Sequence, residues 1–457
     1  MSSRPELGWS DLVGARVGLW GVGTEASSSW RRLRQLGVEP VLVDDRPTSG
    51  TIEFGEVLAT GTGGLERLAA CEIVVKTPGI SRYRDDVRAL QRAGVKVTGG
   101  LALWLFGADR DRVVCVTGSK GKSTTVSILG HLARGLGYRV FIGGNLGTPP
   151  FDPDAPDDVD LWAIEVSSYQ ATDLAVSSPV TAVTSLSPDH LPWHGDAETY
   201  YRDKLSLTSQ PGADLTVVSG ADAELRAREH LLGPRRDWVV GPEEPPPWIS
   251  ALGLTGRHNA TNAMIAQRCL HALGIEGAED LERLRKASAD FAGLDSRLQI
   301  VGEVGGVPFV DDSLSTNVLS AIAACESYPD RPVALLAGGE DRGIDYRPLG
   351  RYLAARAAPT LLVSLATTGP SIAAAARSEP ATGHLDIHEV AAEGPGETWL
   401  AQAVTQAFDW AHPRGGVVLL SPAAASFDHF RNYRHRGAAF TQAMHNLARS
   451  QHADPAE

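Results

Sequence analysis

Cysteine, methionine and aromatic residues are scarce in this sequence, and long apolar runs are missing. The 457 residues include four cysteines and three methionines, and aromatic residues make up 6%. Four widely spaced cysteines without a CxxC pair offer neither a disulfide framework nor a zinc site, which indicates buried thiols in a reducing compartment. No run approaches the ~18 apolar residues of a transmembrane helix, and the first residues lack the apolar core of a signal peptide. We therefore expect a cytoplasmic protein without a membrane partner.

Positive charge is also in deficit. Forty-two lysines and arginines face 55 acidic residues, so the net charge is −13. A nucleic-acid-binding surface requires an excess of positive charge, and we therefore expect no nucleic-acid partner. Small anionic substrates stay compatible with this charge, because a few basic side chains inside a cleft are enough to bind them. The length predicts about three domains of ~150 residues.

Apolar strand patterns alternate with helix patterns along nearly the whole chain, which predicts an α/β fold with mainly parallel sheets. Strands are predicted at residues 16–20, 40–44, 72–76, 113–116, 161–166, 180–185, 307–310, 333–337, 360–363 and 417–420. The polar segment 109–112 marks a change of domain, and a further unit begins near Arg297. We therefore predict three domains, 1–108, 109–295 and 296–457, with a frayed tail from Arg449 onward.

The most informative motif is a glycine-rich turn at residues 118–121 between the apolar strand 113–116 and a helix that opens at Lys122. Such a turn presents backbone N–H groups and the positive end of a helix dipole to an anion. Lys122 would contact phosphate oxygens, and Ser123 is placed to hold Mg²⁺. The loop is a shortened P-loop, since the full pattern has Gly where this chain has Val116. The alternative is a glycine-rich turn with incidental lysines, but the motif predicts binding of a nucleoside triphosphate.

A second turn, Gly21-x-Gly23-x-x-Ala26, is followed about 20 residues later by Asp44 and Asp45. This spacing satisfies the dinucleotide-binding fingerprint. The pattern requires only a close backbone approach at a helix N-terminus, so it has low specificity. NAD, the diphosphate of a UDP-sugar, and packing alone are all compatible with it.

Acidic residues follow two further strands. Glu165 ends the strand 161–166, and Asp189 and His190 follow the strand 180–185. The carboxyl ends of parallel strands share one edge with the P-loop, so Ser123, Glu165 and His190 can converge on Mg²⁺. Imidazole is an unusual magnesium ligand, and a structural role for His190 stays open.

Lys204 and the pair Asn259 and Asn262 lie on two predicted helices, and each allows a functional and a structural interpretation. Lys204 lies on a helix capped by Asp196 and could face the metals, although spacing alone favours a solvated surface lysine. Asn259 and Asn262 share one helix face and could bind an adenine edge. Asn259 could equally be only an N-cap.

In their order along the chain, these motifs resemble those of the Mur ligases, and within that family the MurD-like group that adds glutamate to UDP-N-acetylmuramoyl-L-alanine. The resemblance covers nearly the whole chain. It is carried by residues 117–124, 144–147, 165–170, 189–190, 258–263, 297, 312–317 and 421–426. It implies a Rossmann-like UDP-binding domain, a P-loop ATPase-type domain and a Rossmann-like C-terminal domain. It also implies an ATP-dependent ligase of peptidoglycan precursor synthesis that uses an acyl-phosphate intermediate.

The resemblance implies a role for each matching residue. The implied ATP-binding residues are Gly118, Ser119, Lys120, Gly121, Lys122, Ser123, Thr124, Asn259, Asn262, Arg297 and Asp312. The implied UDP-substrate residues are Gly23, Thr24, Asp45, Arg46, Thr77, Pro78, Gly79, Asn145 and Ser167. The implied ligands of two Mg²⁺ ions are Ser123, Glu165, His190 and a carbamylated Lys204. The implied catalytic residues are Lys122, Lys204, His190 and Arg297, and those for the amino acid are Thr316, Arg342, Ser426 and Tyr433.

Two departures from the family pattern lie at the amino-acid end. The members that add D-glutamate usually have lysines where this chain has Leu314 and Arg342. Loss of one lysine and replacement of the other by a planar guanidinium would change the arrangement of cationic groups that binds a carboxylate of the amino acid. This predicts L-glutamate as the substrate, as in related ligases that depend on a separate glutamate epimerase. The alternative is neutral variation around an unchanged D-glutamate site.

Three other functions compete with this interpretation. A folylpolyglutamate synthase has no N-terminal UDP-binding domain, so the ~100 residues before the P-loop argue against that function. An NAD-dependent oxidoreductase would leave the P-loop unused, and a non-catalytic regulator would not need Ser123, Glu165 and His190 together. We expect a monomeric ligase.

Overall fold

The computed structural model describes residues 4–22, 24–45, 56–145, 147–189, 191–254, 256–291, 296–316, 318–341, 344–365, 367–380, 382–391, 394–426 and 428–452. The chain divides into two compact units, residues 1–292 and 293–457. Within these described ranges, no helix combines the length and the apolar character needed to cross a membrane. The finer boundary after residue 108 and the boundary after residue 295 stay predictions.

The first unit begins with a parallel sheet that, in its described part, has five strands in the order β3-β2-β1-β4-β5. Its elements are β1 (Val17–Trp20), α1 (Thr24–Gln35), β2 (Val41–Asp44), β3 (Leu58–Ala59), α2 (Gly64–Ala69), β4 (Ile73–Lys76), α3 (Asp85–Arg92), β5 (Lys96–Gly99) and α4 (Gly100–Gly107). Strands β1 and β4 are buried at every position, as expected for central strands covered on both faces. The strand order reverses between them, which is where open α/β sheets bind ligands.

The same unit continues with a second parallel sheet of six described strands in the order β11-β10-β9-β6-β8-β7. Its elements are β6 (Val113–Thr117), α5 (Lys122–Gly135), β7 (Val140–Gly144), β8 (Leu161–Glu165), α6 (Ser168–Ala171), β9 (Val180–Val183), α7 (Leu191–His194), α8 (Ala197–Leu205), β10 (Leu215–Ser219), α9 (Ala223–Ala227), β11 (Arg236–Val239), α10 (Pro247–Ser250), α11 (Arg257–Ala272) and α12 (Leu281–Ala287). Strand β6 lies between β8 and β9, so the loops after these three strands share one edge.

The second unit contains a sheet whose described strands run in the order β12-β13-β17-β14-β15-β16. Its elements are β12 (Gln299–Val304), β13 (Val307–Asp311), α13 (Val318–Glu326), β14 (Val333–Ala337), α14 (Arg347–Ala355), β15 (Thr360–Ser364), α15 (Gly369–Arg377), β16 (Leu385–Glu389), α16 (Gly396–Ala411), β17 (Val417–Leu420) and α17 (Tyr433–His452). Only the β12–β13 pair is antiparallel among these described pairings.

The α/β class and the mainly parallel sheets are confirmed. Each predicted strand is present, with ends that differ by at most two residues, and the predicted strands 333–337 and 417–420 match β14 and β17 at both ends. The predicted fraying from Arg449 is wrong for its first residues, because α17 continues to His452. Helix α17 is held by its apolar face, where Met444 and Leu447 are buried.

Candidate active site

The loop between β6 and α5 has the strand–turn–helix geometry that its sequence predicts. Gly118 and Gly121 have φ of +142° and +84°, a region that favours glycine. A Cβ atom on Gly118 would lie 2.1 Å from Thr184 Oγ1, so this position has no room for a side chain. The backbone therefore turns tightly enough to direct Lys122, the first residue of α5, back over the loop.

Positive charge concentrates on this loop. Lys122 Nζ donates hydrogen bonds to the carbonyl oxygens of Gly118 at 2.9 Å and Ser119 at 3.4 Å. Lys120 Nζ lies 3.7 Å from the Asp189 carboxylate. Two lysines, the backbone of the glycine-rich loop and the helix N-terminus together suit a polyanion such as the phosphate chain of a nucleotide.

Ser123, Glu165 and Asn145 come together at the edge of this sheet. Ser123 Oγ donates to Glu165 Oε2 at 2.5 Å, and Asn145 Nδ2 donates to Glu165 Oε1 at 2.7 Å. Glu165 is 3% exposed, and no cation of the described residues lies within ion-pair distance of its carboxylate. A buried carboxylate beside a hydroxyl group, without a cation of its own, is a donor set that fits Mg²⁺. His190 lies outside the described residues.

Lys204 is buried within the site. It is 2% exposed, so the alternative of a solvated surface lysine is wrong. Its Nζ donates to the carbonyl oxygen of Gly118 at 3.0 Å. Burial lowers the pKa of Lys204 well below its usual value, and the neighbouring charge of Lys122 lowers it further. The predicted capping of its helix by Asp196 is confirmed, since the carboxylate accepts from the Thr199 N–H at 2.7 Å.

A buried polar chain beside Lys204 was not predicted from the sequence. His194 Nε2 lies 3.0 Å from Ser168 Oγ, and His194 Nδ1 lies 2.7 Å from Asp203. The other oxygen of Asp203 accepts from Tyr83 Oη at 2.6 Å. These bonds fix α8 against α6 and against the loop after β4. The available signal was the position of Ser168 inside the 165–170 motif and of Asp203 next to Lys204.

Asn259 and Asn262 lie beside the P-loop. Helix α11 starts at Arg257 with Gly256 as its N-cap, so the alternative that Asn259 is the cap is wrong. Asn262 Nδ2 donates to Asn259 Oδ1 at 3.4 Å, and both side chains are buried. A Cβ atom on Gly121 would lie 2.8 Å from Asn262 Oδ1. The paired amides are therefore adjacent to the phosphate-binding turn.

At the first sheet, the turns after β1 and β4 touch each other. Gly21 has φ +95°, and a Cβ atom there would lie 2.2 Å from Thr77 Oγ1. Asp44 accepts a hydrogen bond from the Val22 N–H at 3.0 Å, which fixes the turn. The carbonyl oxygens of Pro78 and Gly79 each accept from Trp193 Nε1 at 3.1 Å. The described residues of these two turns therefore share one edge of the sheet.

Other residues predicted for the UDP substrate are engaged with the protein. The Arg84 guanidinium pairs with Asp45 and lowers the pKa of that carboxyl group. Ser167 is the N-cap of α6 and accepts from the Gln170 N–H at 3.2 Å. Gly23 and Arg46 lie outside the described residues, as does the side chain of Thr24.

A half-buried glutamate lies next to the turn after β1. Glu25, in the first turn of α1, accepts a hydrogen bond from Gln170 Nε2 at 3.1 Å. Burial raises the pKa of Glu25 to about 7, against the opposing effect of that hydrogen bond. No local sequence pattern around Glu25 indicates this raised pKa.

In the second unit, Asp312 follows β13 and is 3% exposed. Its carboxylate accepts from Ser421 Oγ at 2.7 Å and also from Ser315 Oγ and the Leu298 N–H. Burial raises the pKa of Asp312 to about 6, while the charge of Arg297 acts in the opposite direction. These contacts join the loops after β13 and β17, as the shared sheet edge predicts.

Arg436 is a buried residue that the sequence analysis missed. Its Nη2 donates to the carbonyl oxygens of Ser313 at 2.9 Å and Ala424 at 3.1 Å. Burial lowers the pKa of Arg436 to about 10. Its guanidinium therefore holds together the two loops that contain Thr316 and Ser426.

The predicted amino-acid-binding residues lie around these loops. Thr316 is exposed, Ser426 is 2% exposed, and Tyr433 is the first residue of α17. Arg342 lies outside the described residues. No group of three or more His, Cys, Asp or Glu side chains that could hold a metal occurs among the residues described here.

A P-loop at the carboxyl edge of a parallel sheet, with a buried carboxylate and lysine beside it, defines a P-loop α/β protein. Residues 116–240 match the family model described as the Mur ligase middle domain. A ligase of Salinispora tropica named UDP-N-acetylmuramoyl-L-alanine–L-glutamate ligase is 38% identical over 96% of this chain and 99% of its own length. One of Micromonospora with the same name is 39% identical over 96% and 98%. The chain belongs to the Mur ligase family, which confirms the resemblance seen in the sequence.

A solved structure shows the same fold. UDP-N-acetylmuramate–alanine ligase MurC from Thermotoga maritima superimposes with a TM-score of 0.55 at 15% sequence identity. The match covers 95% of this chain and 100% of the other. The α/β architecture of both units is therefore that of a Mur ligase.

Proposed function

We propose that this protein is an ATP-dependent ligase that forms an amide bond between UDP-N-acetylmuramoyl-L-alanine and glutamate, a step of peptidoglycan precursor synthesis. The names of the relatives that align with nearly the whole chain support this reaction. The observation that carries the proposal is the meeting of Lys122, Glu165 and Lys204 around the P-loop. The proposal includes a cytoplasmic location and a monomeric ligase.

The reaction follows from the charges of its substrates. The alanine carboxylate attacks the γ-phosphorus of ATP, the bond to the bridging oxygen breaks, and ADP leaves. The amino group of glutamate then attacks the acyl phosphate, and phosphate leaves with loss of a proton from nitrogen. Two anions must approach in the first step, and Lys122 offsets their repulsion. Arg297 and Asp312 are proposed as ATP contacts on the second unit.

We propose that Ser123 and Glu165, with His190 and a modified Lys204, hold two Mg²⁺ ions. Bound magnesium would neutralise phosphate charge during phosphoryl transfer. Asn145 fixes the second oxygen of Glu165, so its carboxylate is oriented before any ligand enters. The paired amides of Asn259 and Asn262 are proposed to contact the adenine.

The modification proposed for Lys204 is a carbamate. A neutral amine adds to CO₂, the N–C bond forms and one proton is released, which turns a cation into a carboxylate-like ligand. The lowered pKa of Lys204 supports this step, because only the uncharged amine is nucleophilic.

The first sheet is proposed to bind the UDP moiety at the turns after β1, β2 and β4. The contact of Gly21 with Thr77 at the point where strand order reverses supports this assignment. The proposed UDP-contact residues are Gly23, Thr24, Asp45, Arg46, Thr77, Pro78 and Gly79 around the first sheet, and Asn145 and Ser167 around the second. NAD-dependent hydride transfer, the remote alternative, gives the P-loop no role.

The amino acid is proposed to be L-glutamate, bound near Thr316, Arg342, Ser426 and Tyr433. The names of these relatives support the L-enantiomer. A separate epimerase would then supply the D-configuration at a later step. The alternative is ligation of D-glutamate by the same chemistry.

The decisive experiment is ligation of UDP-N-acetylmuramoyl-L-alanine with L- and D-glutamate in parallel assays that contain ATP and Mg²⁺. We expect phosphate release and a new UDP-linked dipeptide with L-glutamate. No product with either enantiomer would refute the ligase assignment. A nicotinamide-dependent absorbance change in a separate assay with NAD would support the oxidoreductase. Faster turnover of D-glutamate would refute only the stereochemical part.

A further inference from the structure

A cavity in the first unit is lined by arginines that the proposed reaction does not use. It measures about 610 Å³ and lies between α3 of the first sheet and α8 of the second. Its arginines are Arg4, Arg82, Arg88, Arg92 and Arg202. None of the described residues proposed above for ATP, magnesium, UDP or glutamate lines it. The volume is within the range of small-molecule sites.

The spacing of the arginines on α3 and α8 places their positive charges around the same cavity. Arg88 and Arg92 are separated by four residues on α3, so they lie on the same helix face. Arg202 and Ser206 repeat this spacing at the end of α8. Arg4 Nη2 donates to Ser206 Oγ at 3.0 Å, which connects the N-terminal segment to the same wall.

Across the described residues, none of these five guanidinium groups lies within ion-pair distance of a carboxylate. Arg82 donates instead to the Thr172 carbonyl oxygen, and the Arg88 guanidinium lies 5.9 Å from the centroid of the Tyr83 ring. The one acidic side chain among the described lining residues is Asp203. Its oxygens are already engaged by Tyr83 and His194. Arg88 and Arg92 are exposed like charges four residues apart on a helix, which repel each other weakly, and a bound anion would relieve this repulsion.

Burial lowers the pKa of Arg4 and the neighbouring charge of Arg82 lowers it further, while the carboxylates of Asp173 and Asp203 act in the opposite direction. Because the net charge of the chain is −13, a cluster of unpaired arginines is not part of a generally basic surface. Planar guanidinium groups form bidentate hydrogen bonds with phosphate oxygens, and several of them can surround a chain of phosphates.

We infer that this cavity is a binding site for a small molecule bearing a polyphosphate chain, separate from the sites for ATP and the UDP substrate. The source of the chain is either an inorganic polyphosphate or a nucleotide. The bound anion would join α3 to α8, the helix that carries Lys204.

Arginine labelling tests the site directly and does not depend on ligase activity. The full chain is treated with phenylglyoxal with and without inorganic tripolyphosphate, and modification of each arginine is quantified by mass spectrometry. We expect tripolyphosphate to reduce labelling of Arg88, Arg92 and Arg202 by about tenfold at saturation. Labelling of Arg283 and Arg285, which are exposed on α12, should not change. Equal protection of both sets, or none, would overturn the inference.

Calorimetry with variants provides the second test. In a Lys122→Ala background, which weakens the P-loop, Arg88→Gln with Arg92→Gln should weaken tripolyphosphate binding about tenfold or more. The control, Arg283→Gln with Arg285→Gln, makes the same change in net charge and should bind as the background does. An equal loss in both pairs would overturn the site.

Two further titrations identify the ligand class. Tighter binding of CTP than of tripolyphosphate would assign a nucleotide, and equal binding would assign the phosphate chain alone. Citrate bound as tightly as tripolyphosphate would overturn the choice of phosphate. Both double variants change exposed side chains, and circular dichroism will confirm that they fold.

Discussion

Lys76 Nζ lies 2.6 Å from the Asp173 carboxylate, and both side chains are buried, at 1% and 7% exposure. Lys76 ends β4 of the first sheet, and Asp173 follows α6 beside the second sheet. A buried ion pair therefore joins the two halves of the first unit. The two halves carry the turns proposed to bind UDP and the residues proposed to hold magnesium.

Lys76→Met should destabilise the first unit by about 3–5 kcal/mol, because it leaves the Asp173 carboxylate buried and unpaired. Urea denaturation followed by fluorescence will measure the loss. Lys76→Met combined with Asp173→Leu should recover most of it, since no charge is then left without a partner. A single variant as stable as the unmodified protein would contradict the role of this pair. Arg285→Gln, at an exposed ion pair, serves as the control and should change stability by less than about 1 kcal/mol.

Glu25 should make stability depend on pH in the acid-to-neutral range. Its pKa is raised from 4.5 to about 7 by burial, so the folded state favours the neutral acid. This contribution is fully present below about pH 4.5 and is lost as pH rises through about 7. Lys76 and Asp173 are the charged groups that act on it.

Glu25→Gln keeps a neutral side chain at every pH. The stability of the unmodified protein relative to this variant should therefore fall by about 1–3 kcal/mol between pH 4.5 and 7.5. Urea denaturation across that range measures the difference. A difference that is constant with pH would mean that Glu25 titrates normally.

Lys122→Ala should abolish ATP-dependent ligation while the fold stays intact. The loss should reach about 100-fold or more in kcat, because the lysine stabilises charge that develops during phosphoryl transfer. Phosphate release reports the rate, and circular dichroism reports the fold. Lys286→Ala, an exposed lysine of α12, should be unaffected. Near-normal turnover of Lys122→Ala would contradict the assignment of the P-loop.

Lys204 should need CO₂ for activity. Assays in buffer depleted of CO₂ should run slowly and recover when bicarbonate is added, because a carbamate forms and dissociates reversibly. Lys204→Ala should be nearly inactive and partly rescued by short carboxylates, while Lys204→Arg should stay inactive, since a guanidinium does not add CO₂. A fully active Lys204→Ala enzyme would rule out the modification.

The predictable part of the fold follows from residues whose local pattern and final environment agree. Strand β14 is apolar at all five positions and is buried throughout, so its sequence was sufficient. Strand β7 contains Gly143 and Gly144, which have low strand propensity, and was missed. Its conformation depends on pairing with β8, a long-range contact that no local pattern encodes.

The same distinction applies to the site. The meeting of Ser123 with Glu165 follows from parallel strand ends and could be predicted. The burial of Lys204 could not, because a lysine on a nine-residue helix looks solvated until the contact with Gly118 is known. Arg436 was missed for the same reason. One of its partners, the Ser313 carbonyl oxygen, is 123 residues away in the chain, and the other, the Ala424 carbonyl oxygen, is 12 residues away on a different loop.

The stereochemical prediction is a preference for L-glutamate in kcat/KM. It rests on Leu314 and Arg342, which replace two lysines of the family pattern at the loops expected to hold the α-carboxylate. Ser426 and Tyr433 keep the serine and aromatic residue that the resemblance assigns to the side-chain carboxylate, so glutamate itself is retained. Leu314 is half-buried and its N–H donates to the Ser296 carbonyl oxygen at 2.9 Å, so its backbone is held in place.

Inversion of Cα displaces the α-carboxylate, and a clamp that fits one enantiomer leaves the other poorly paired. The cost is about 2–5 kcal/mol, or roughly 30- to 5,000-fold in kcat/KM. Leu314→Lys combined with Arg342→Lys should reduce the preference toward that of the D-glutamate-adding members, and Lys286→Arg serves as a matched control. The ratio of kcat/KM for the two enantiomers measures the effect. If the unmodified enzyme prefers D-glutamate, these two replacements are neutral and the clamp is that of an ordinary D-glutamate ligase.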